Sequence, residues 1–251
     1  MIRFAALALT TLVASSSLAD EPMITDRPDF TESSSAVPEA TVQIEAGGTY
    51  VDIDDAEEGS LGEVLVRWGA VSGLEVRLGV GGFAWFDRAG SDGSGLEAFG
   101  IGAKVNLARS ASLLGDAEIA LIVGAETPTG GEETGADVWT PEAVMALGWD
   151  LGSHLSLGAN LGVARPTGGP ERFTSAWVSG VLGVDLGREV GAFVELYGFN
   201  RLEPGGSASV TLQTGLTWGV AQDLQLDTRV ARRLTEDGPN LLAGAGLAVR
   251  F

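Results

Sequence analysis

The 251-residue chain carries 34 acidic against 15 basic side chains, a formal net charge of −19, which excludes the basic surface that nucleic-acid phosphates require. It has no cysteine, so neither a disulfide framework nor a thiolate metal site is available. Its mean hydropathy is positive, yet no segment reaches the roughly 20 consecutive apolar residues of a spanning helix.

The first predicted element is an export signal over residues 1–19. Arg3 supplies a short positive region and Phe4 to Ala14 an apolar run. Ser17-Leu18-Ala19 offers the small-residue pattern that signal peptidase cuts, before Asp20. A buried N-terminal helix is the alternative reading. Residues 20–40, "DEPMITDRPDFTESSSAVPEA", combine prolines, acidic residues and a serine run, which excludes a membrane strand. They are expected to form an N-terminal periplasmic or plug-like segment ahead of a barrel over 41–251.

From residue 41 a period of two keeps returning, the mark of strands with one apolar face. In "TVQIEAGGTYVD", Val42, Ile44, Ala46 and Tyr50 oppose Gln43, Glu45 and Thr49. In "LGEVLVRWGA", Val64, Val66 and Trp68 oppose Glu63 and Arg67. "LEVRLGVGGFAW" sets Leu74, Val76 and Leu78 against Glu75 and Arg77, and "FGIGAKVNLA" sets Ile101, Ala103 and Val105 against Lys104 and Asn106. "AEIALIVGAE" has Ile119, Leu121 and Val123 opposite Glu118. "WTPEAVMALGWDL" shows Trp139 and Trp149 at its two ends, where two membrane interfaces would want them. "LSLGANLGVA", "AWVSGVLGVDL", "VGAFVELYGFN", "SVTLQTGLTWGV", "LQLDTRVARRL" and "LLAGAGLAVR" complete about a dozen segments. An even number is what bacterial single-chain barrels use.

The connections alternate. "DIDDAEEGS", "DRAGSDGSG", "TPTGGEETGAD", "RPTGGPER", "EPGGS" and "TEDGP" read as longer loops, and "VSG", "ARSA", "GSH", "GRE" and "AQD" as tight turns. Short periplasmic turns with longer outer loops are the pattern of an outer-membrane barrel. A soluble β-sandwich would alternate too, but it needs neither that long-short rhythm nor interfacial tryptophans. The predicted fold is therefore an all-β, transmembrane, antiparallel up-and-down β-barrel of about 12 strands in a bacterial outer membrane. Its surroundings would be the lipid bilayer and lipopolysaccharide. The last strand should pair with the first, because unpaired backbone groups in lipid cost several kcal/mol each.

Two stretches carry a family resemblance. Thr25, Asp26, Arg27, Pro28, Asp29, Thr31 and Glu32, then Val37-Pro38, then Gln43, Glu45 and Gly47 match the start of a bacterial outer-membrane transporter family named for the MetA pathway of phenol degradation. "ETPTGG" at 126–131 is similar to another stretch of that family. The resemblance implies passive passage of small, hydrophobic or aromatic solutes through an outer-membrane channel or transporter. A terminal strand ending in Val249 and Phe251 is likewise similar to the assembly signal of outer-membrane proteins, which implies recognition by the barrel-assembly machinery.

With the apolar faces given to lipid, a second set faces inward: Glu45, Arg67, Glu75, Arg77, Lys104, Glu118, Glu142, Glu195, Arg201, Asp227, Arg229 and Arg250, with Glu63, Asn106, Asn160, Tyr197, Gln213 and Arg233. These side chains either line a polar conduit or pair across the lumen and brace the wall. Inward Gly100, Gly158, Gly215 and Gly244 leave space, since a dozen strands enclose more than eight do. By the same topology Asp26 and Asp29 are expected to pair with inward arginines, and Arg27 with Glu45 or Glu75. Pro28 would lower the entropy of fixing the segment. Asp26, Arg27, Pro28 and Asp29 are thus the candidate plug or gate; a disordered leader is the alternative.

An enzymatic barrel needs a nucleophile or activated water beside a base. The single histidine, His154, falls in a tight turn with no such partner, so no catalytic residue, cofactor or metal ligand is assigned. A structural or surface-interaction barrel is the second function class. The acidic loops do not match a calcium-loop spacing. Leu78, Leu121, Leu147, Val194 and Leu226 are expected to face lipid, so arginine at Leu121 or Leu147 should cost more than at Ala120 or Ala146.

Deleting Phe251 should lower the amount of folded barrel in outer-membrane fractions, read as heat-modifiable migration on gels. Undiminished folded protein would remove the assembly role from this residue.

Overall fold

The computed structural model describes residues 22–112, 115–168 and 171–251; the predicted export signal lies outside them. The strands are β1 Val42–Ile53, β2 Ala56–Val71, β3 Leu74–Val80, β4 Phe83–Arg88, β5 Ser91–Leu96, β6 Gly100–Ser112, β7 Gly115–Glu126 and β8 Thr140–Asp150. They continue as β9 Leu155–Ala164, β10 Thr167–Gly168, β11 Glu171–Arg172, β12 Ser175–Gly187, β13 Val190–Phe199, β14 Ser209–Ala221, β15 Leu224–Arg233 and β16 Leu241–Arg250.

Twelve of these form a closed antiparallel wall in the order β1, β2, β3, β6, β7, β8, β9, β12, β13, β14, β15, β16 and back to β1. Closure runs from Gln43 opposite Arg250 to Asp52 opposite Leu241. Beyond that register the Phe251 N–H donates to the Val42 carbonyl at 2.8 Å and the Val42 N–H to the Phe251 carbonyl at 3.2 Å. Phe251 thus extends the ladder, and each of the twelve wall strands has a partner on both sides.

The period-two pattern holds around the ring. Leu78, Leu121, Val194 and Leu226 are 37–45% exposed on the outer surface, and Leu147 is partly exposed. Trp68 and Trp218 stand near the ends of their strands on the side of the barrel's termini, and Trp85 and Trp139 toward the opposite rim. Two aromatic belts flank an apolar band, as two interfaces require.

Two expectations change. "DIDDAEEGS" is not a long loop: β1 and β2 meet in a turn at Asp54 and Asp55, Asp54 having a φ of 50°, and the acidic residues continue both strands beyond the barrel. Charges in water do not break a strand. β2 can be 16 residues long because β4 replaces β3 as its partner, from Leu61 opposite Phe83 to Ala56 opposite Arg88. "DRAGSDGSG" correspondingly folds as the β4–β5 hairpin, with Arg88 paired to Ser91. The tight turn between β12 and β13 places both Arg188 (φ 57°) and Glu189 (φ 62°) in the left-handed region, the geometry of a two-residue hairpin of matching twist.

The second change concerns Ala120 and Ala146. Both are fully buried in an inward-facing apolar cluster with Ile122 and Val144, against which Trp177 packs. Arginine there would be overpacked and desolvated, so these sites cannot serve as the mild partners of a lipid-face comparison. Leu216 and Thr217 can. Leu216 is 51% exposed on the outer surface, and Thr217 borders a void of about 810 Å³ inside. Leu216→Arg should destabilise the barrel by about 2–4 kcal/mol if it sits near the bilayer midplane, and Thr217→Arg by much less. Urea-driven unfolding from lipid vesicles reads the difference; equal losses would invert the assigned faces.

Candidate functional site

Strand alternation brings Gln43 and Glu45 of β1, Arg67 of β2, Glu75 and Arg77 of β3 and Lys104 of β6 to one patch of the inner wall. The register supports this, with Gln43 opposite Arg67, Arg67 opposite Arg77 and Glu75 opposite Lys104. Arg67 is fully buried and forks between the carboxylates of Glu45 (Nη1 to Oε1, 2.8 Å) and Glu75 (Nη2 to Oε2, 2.9 Å). Arg77 Nη1 donates to Glu75 Oε1 at 3.0 Å.

The patch contains three cations and two carboxylates. The third carboxylate comes from the N-terminal segment. Residues 22–41 form neither strand nor helix, and run through the lumen. Asp26 accepts from Lys104 Nζ at 2.9 and 3.0 Å and from Arg77 Nη1 at 2.6 Å, with Arg67 Nε at 3.4 Å. Burial alone would raise its pKa, but Arg67, Lys104 and Arg77 together hold the carboxyl well below the usual carboxylate range. Glu32 adds a 2.7 Å ion pair to Arg77 Nη2.

A segment without secondary structure must satisfy its backbone elsewhere. Here the wall's side chains do so. Glu45 accepts the N–H groups of Asp26 (3.1 Å) and Arg27 (2.9 Å), and Glu195 of β13 accepts those of Phe30 (2.8 Å) and Thr31 (2.6 Å). Asn160 of β9 brackets Glu32, accepting its N–H at 2.7 Å and donating to its carbonyl at 3.0 Å. Glu75 accepts the Val37 N–H at 2.9 Å, and Arg229 Nη1 donates to the Pro28 carbonyl at 3.1 Å.

Close approach is made possible by missing side chains. Gly47 and Gly246 lie opposite each other in β1 and β16, and the Arg27 guanidinium rests on both; a Cβ at either would collide with Arg27 Nη2. Gly69 likewise admits the Pro38 carbonyl. Of the inward glycines expected to leave space, Gly215 is covered by the Phe193 ring and Gly244 by the Arg229 side chain, so neighbouring residues take up part of that room.

Several expected pairings differ. Arg27 does not use Glu75; its side chain meets Asp227 (3.3 Å) and Glu63 (3.7 Å), and only its backbone N–H reaches Glu45. Asp29 has no ion pair among the described residues. Burial, then the neighbouring Glu195, pushes its carboxyl well above the usual range. Arg201 lies past the end of β13, where its Nε donates to the Thr174 carbonyl at 3.1 Å. It belongs to the outer rim rather than the lumen wall. Arg250 pairs with Asp223 in the β14–β15 turn at 2.7 Å, at the mouth nearest the termini. Glu118 sits beside Arg109 and accepts from Ser35 Oγ at 3.0 Å, and Glu142 projects inward from the outer end of β8.

One part of the site was missed in the sequence. Phe30 stacks on Tyr197 (centroids 4.4 Å apart, planes at 21°) and meets Phe199 (5.4 Å) and Trp177 (6.5 Å) edge-on. The signal was present as parity: Trp177 shares its face with Ser179 and Val181, and Phe199 with Glu195 and Tyr197. The segment leaves voids on both sides. Toward the termini lie volumes of about 810 and 770 Å³, and toward the outer rim about 380, 480 and 300 Å³.

A family profile described as "Putative MetA-pathway of phenol degradation" matches residues 25–251. No curated protein matches the chain. Among solved structures, an outer-membrane channel from Pseudomonas putida F1 is similar at a TM-score of 0.64 and 13% identity, over 86% of this chain and 97% of that one. The NanC porin is similar at 0.56 and 9% identity, over 82% and 98%. A KdgM porin in complex with disordered oligogalacturonate is similar at 0.54 and 12%, over 84% and 99%. At these identities the likeness establishes the barrel fold.

Asp26→Asn would leave three buried cations facing two wall carboxylates, and breaking a buried pair costs about 3–5 kcal/mol. The variant barrel should expose residues 22–41 to limited proteolysis, whereas Asp29→Asn, which removes no ion pair, should leave the segment protected. Equal protection in both variants would mean that the Asp26 cluster does not hold the segment.

Proposed function

This chain belongs to the family described by its relation to the MetA pathway of phenol degradation, and from that premise we propose that it is an outer-membrane channel for passive passage of small solutes, obstructed at rest by its own N-terminal segment. One observation carries the reading. The lumen of a closed barrel is crossed by residues 22–41, which the wall's side chains hold as far as Val37 and which meet the backbone of β2 only at Ala40 and Thr41, opposite Gly69. Such contacts can be exchanged without unzipping the wall. Small apolar or aromatic compounds are the favoured solutes. The family's description and the aromatic group around Phe30 support that class.

Export through a cleaved signal, insertion by the barrel-assembly machinery and a lipopolysaccharide-facing outer rim belong to the same proposal, which rests on residues 1–19 as read in the sequence and on Phe251 following β16. No catalytic chemistry is part of it. The rival is a structural or surface-interaction barrel with no transport role.

Deleting residues 22–36 from the mature protein decides between them. In planar bilayers the deleted barrel, shown folded by heat-modifiable migration, should conduct several-fold more than the full chain. A folded deleted barrel that conducts no better would end the channel reading and leave the structural one.

A further inference from the structure

Residues 26, 27, 31 and 32 of the luminal segment are held by hydrogen bonds and ion pairs. Phe30 is held additionally by its ring, which lies on the face of Tyr197 with Phe199 and Trp177 edge-on around it. Beside this group, toward the outer rim, is a cavity of about 300 Å³. Phe30, Tyr197 and Phe199 form its aromatic side, and Val51 and Leu242 its aliphatic side. We propose that this cavity binds a small, uncharged, single-ring aromatic solute, and that the bound ring competes with Phe30 for the Tyr197 face and so releases the segment. The proposal deepens the channel reading and rests on it.

The size and chemistry select the occupant. An apolar cavity of about 150 Å³ is enough for benzene in another protein, so this one takes a substituted single ring and excludes an oligosaccharide. The walls are mainly apolar, with Ser209, Thr211, Gln213 and Arg229 as the polar handles. Arg229 already donates one Nη to the Pro28 carbonyl and the other to Thr49 Oγ1. A carboxylate entering beside Phe30, Tyr197 and Phe199 would lose its hydration against apolar rings, whereas a neutral ring with one hydroxyl needs only a single polar contact, so the neutral ring fits better. Offset stacking and edge-on contacts are specific to π faces. A saturated ring of equal size fills the space but does not replace Phe30.

A ligand shifts such an equilibrium only by its preference for one state. Here the preference arises because the cavity gains the stacked face of Tyr197 only when Phe30 has left it. Withdrawal of Phe30 pulls on the paired N–H groups of Phe30 and Thr31 at Glu195, the anchor of the segment on that wall.

The test uses the full mature barrel, with phenol and cyclohexanol as probes, by titration calorimetry in detergent and by conductance in planar bilayers. Phenol should bind saturably and raise conductance, and cyclohexanol should do neither at the same concentration. Phe30→Ala removes the resident competitor and should bind phenol roughly 2- to 10-fold tighter, the range one aromatic pair commands. Phe30→Leu, which keeps the bulk and loses the π face, should also bind phenol more tightly than the native chain. Unchanged or weaker binding in both variants, or equal action by cyclohexanol, overturns the proposal. If deletion of residues 22–36 opens a pore while phenol neither binds nor opens the full chain, this proposal fails and the channel stands. If the deleted barrel does not conduct, the channel reading fails, and tighter phenol binding by Phe30→Ala still decides for the site.

Discussion

The structure turns on the neutralisation of charge inside a closed wall. Arg67, Arg77 and Lys104 face inward from three neighbouring strands, and Glu45 and Glu75 are the wall's own carboxylates among them. An uncompensated buried cation costs several kcal/mol, and long side chains on a rigid wall cannot all turn away. Asp26 enters this cluster as the third carboxylate, within hydrogen-bonding distance of Arg77 and Lys104. Position 26 therefore answers a charge deficit built into β2, β3 and β6, and the location of the segment follows from it.

This arrangement inverts the usual interior. The largest fully buried side chains are polar: Arg67, Lys104, Gln43, Gln213, Glu45, Glu75, Glu195 and Asn160. Leucines and valines cover the outside, where lipid replaces water as the solvent. Among the described residues the inside holds a small apolar cluster built on Ala120, Ile122, Val144 and Ala146, besides the aromatic group around Phe30. A polar interior makes hydrogen bonding the specificity device. Wall carboxylates that would otherwise repel one another become acceptors for the segment's backbone, as Glu45 does for Asp26 and Arg27 and Glu195 for Phe30 and Thr31. The segment replaces water in the lumen without becoming part of the sheet.

Glycine has a matching role. Gly47 opposite Gly246 leaves a shallow notch on the inner face, and Arg27 lies in it with its charge directed to Asp227 and Glu63. The same pairing of strands that closes the barrel, β1 with β16, also forms the seat for the segment. Closure of the wall and seating of the segment share one ladder.

The wall was legible in the sequence because its rule is local. A period of two assigns each residue to lipid or lumen without knowledge of its neighbours, and Arg67, Glu75, Lys104 and Glu195 all lie where it puts them. The approach of Asp26 to inward arginines was also readable, since the segment must start at the mouth where β1 begins. Partner choice was not. Arg27 reaches Asp227 on β15, 200 positions away, and only the closed ring makes them neighbours. Asp29 resembles Asp26 in sequence, yet one meets three cations and the other sits near Glu195, because their side chains leave the segment in different directions. Phe30 joined Tyr197, Phe199 and Trp177 for the same reason: their meeting depends on the diameter of the barrel and the path of the segment across it. The sequence by itself determined a wall of about twelve strands and, within the strands, which side most residues face, through short-range alternation. The tertiary structure alone decided which inward groups touch, because that depends on ring closure, register and the depth to which residues 22–41 descend.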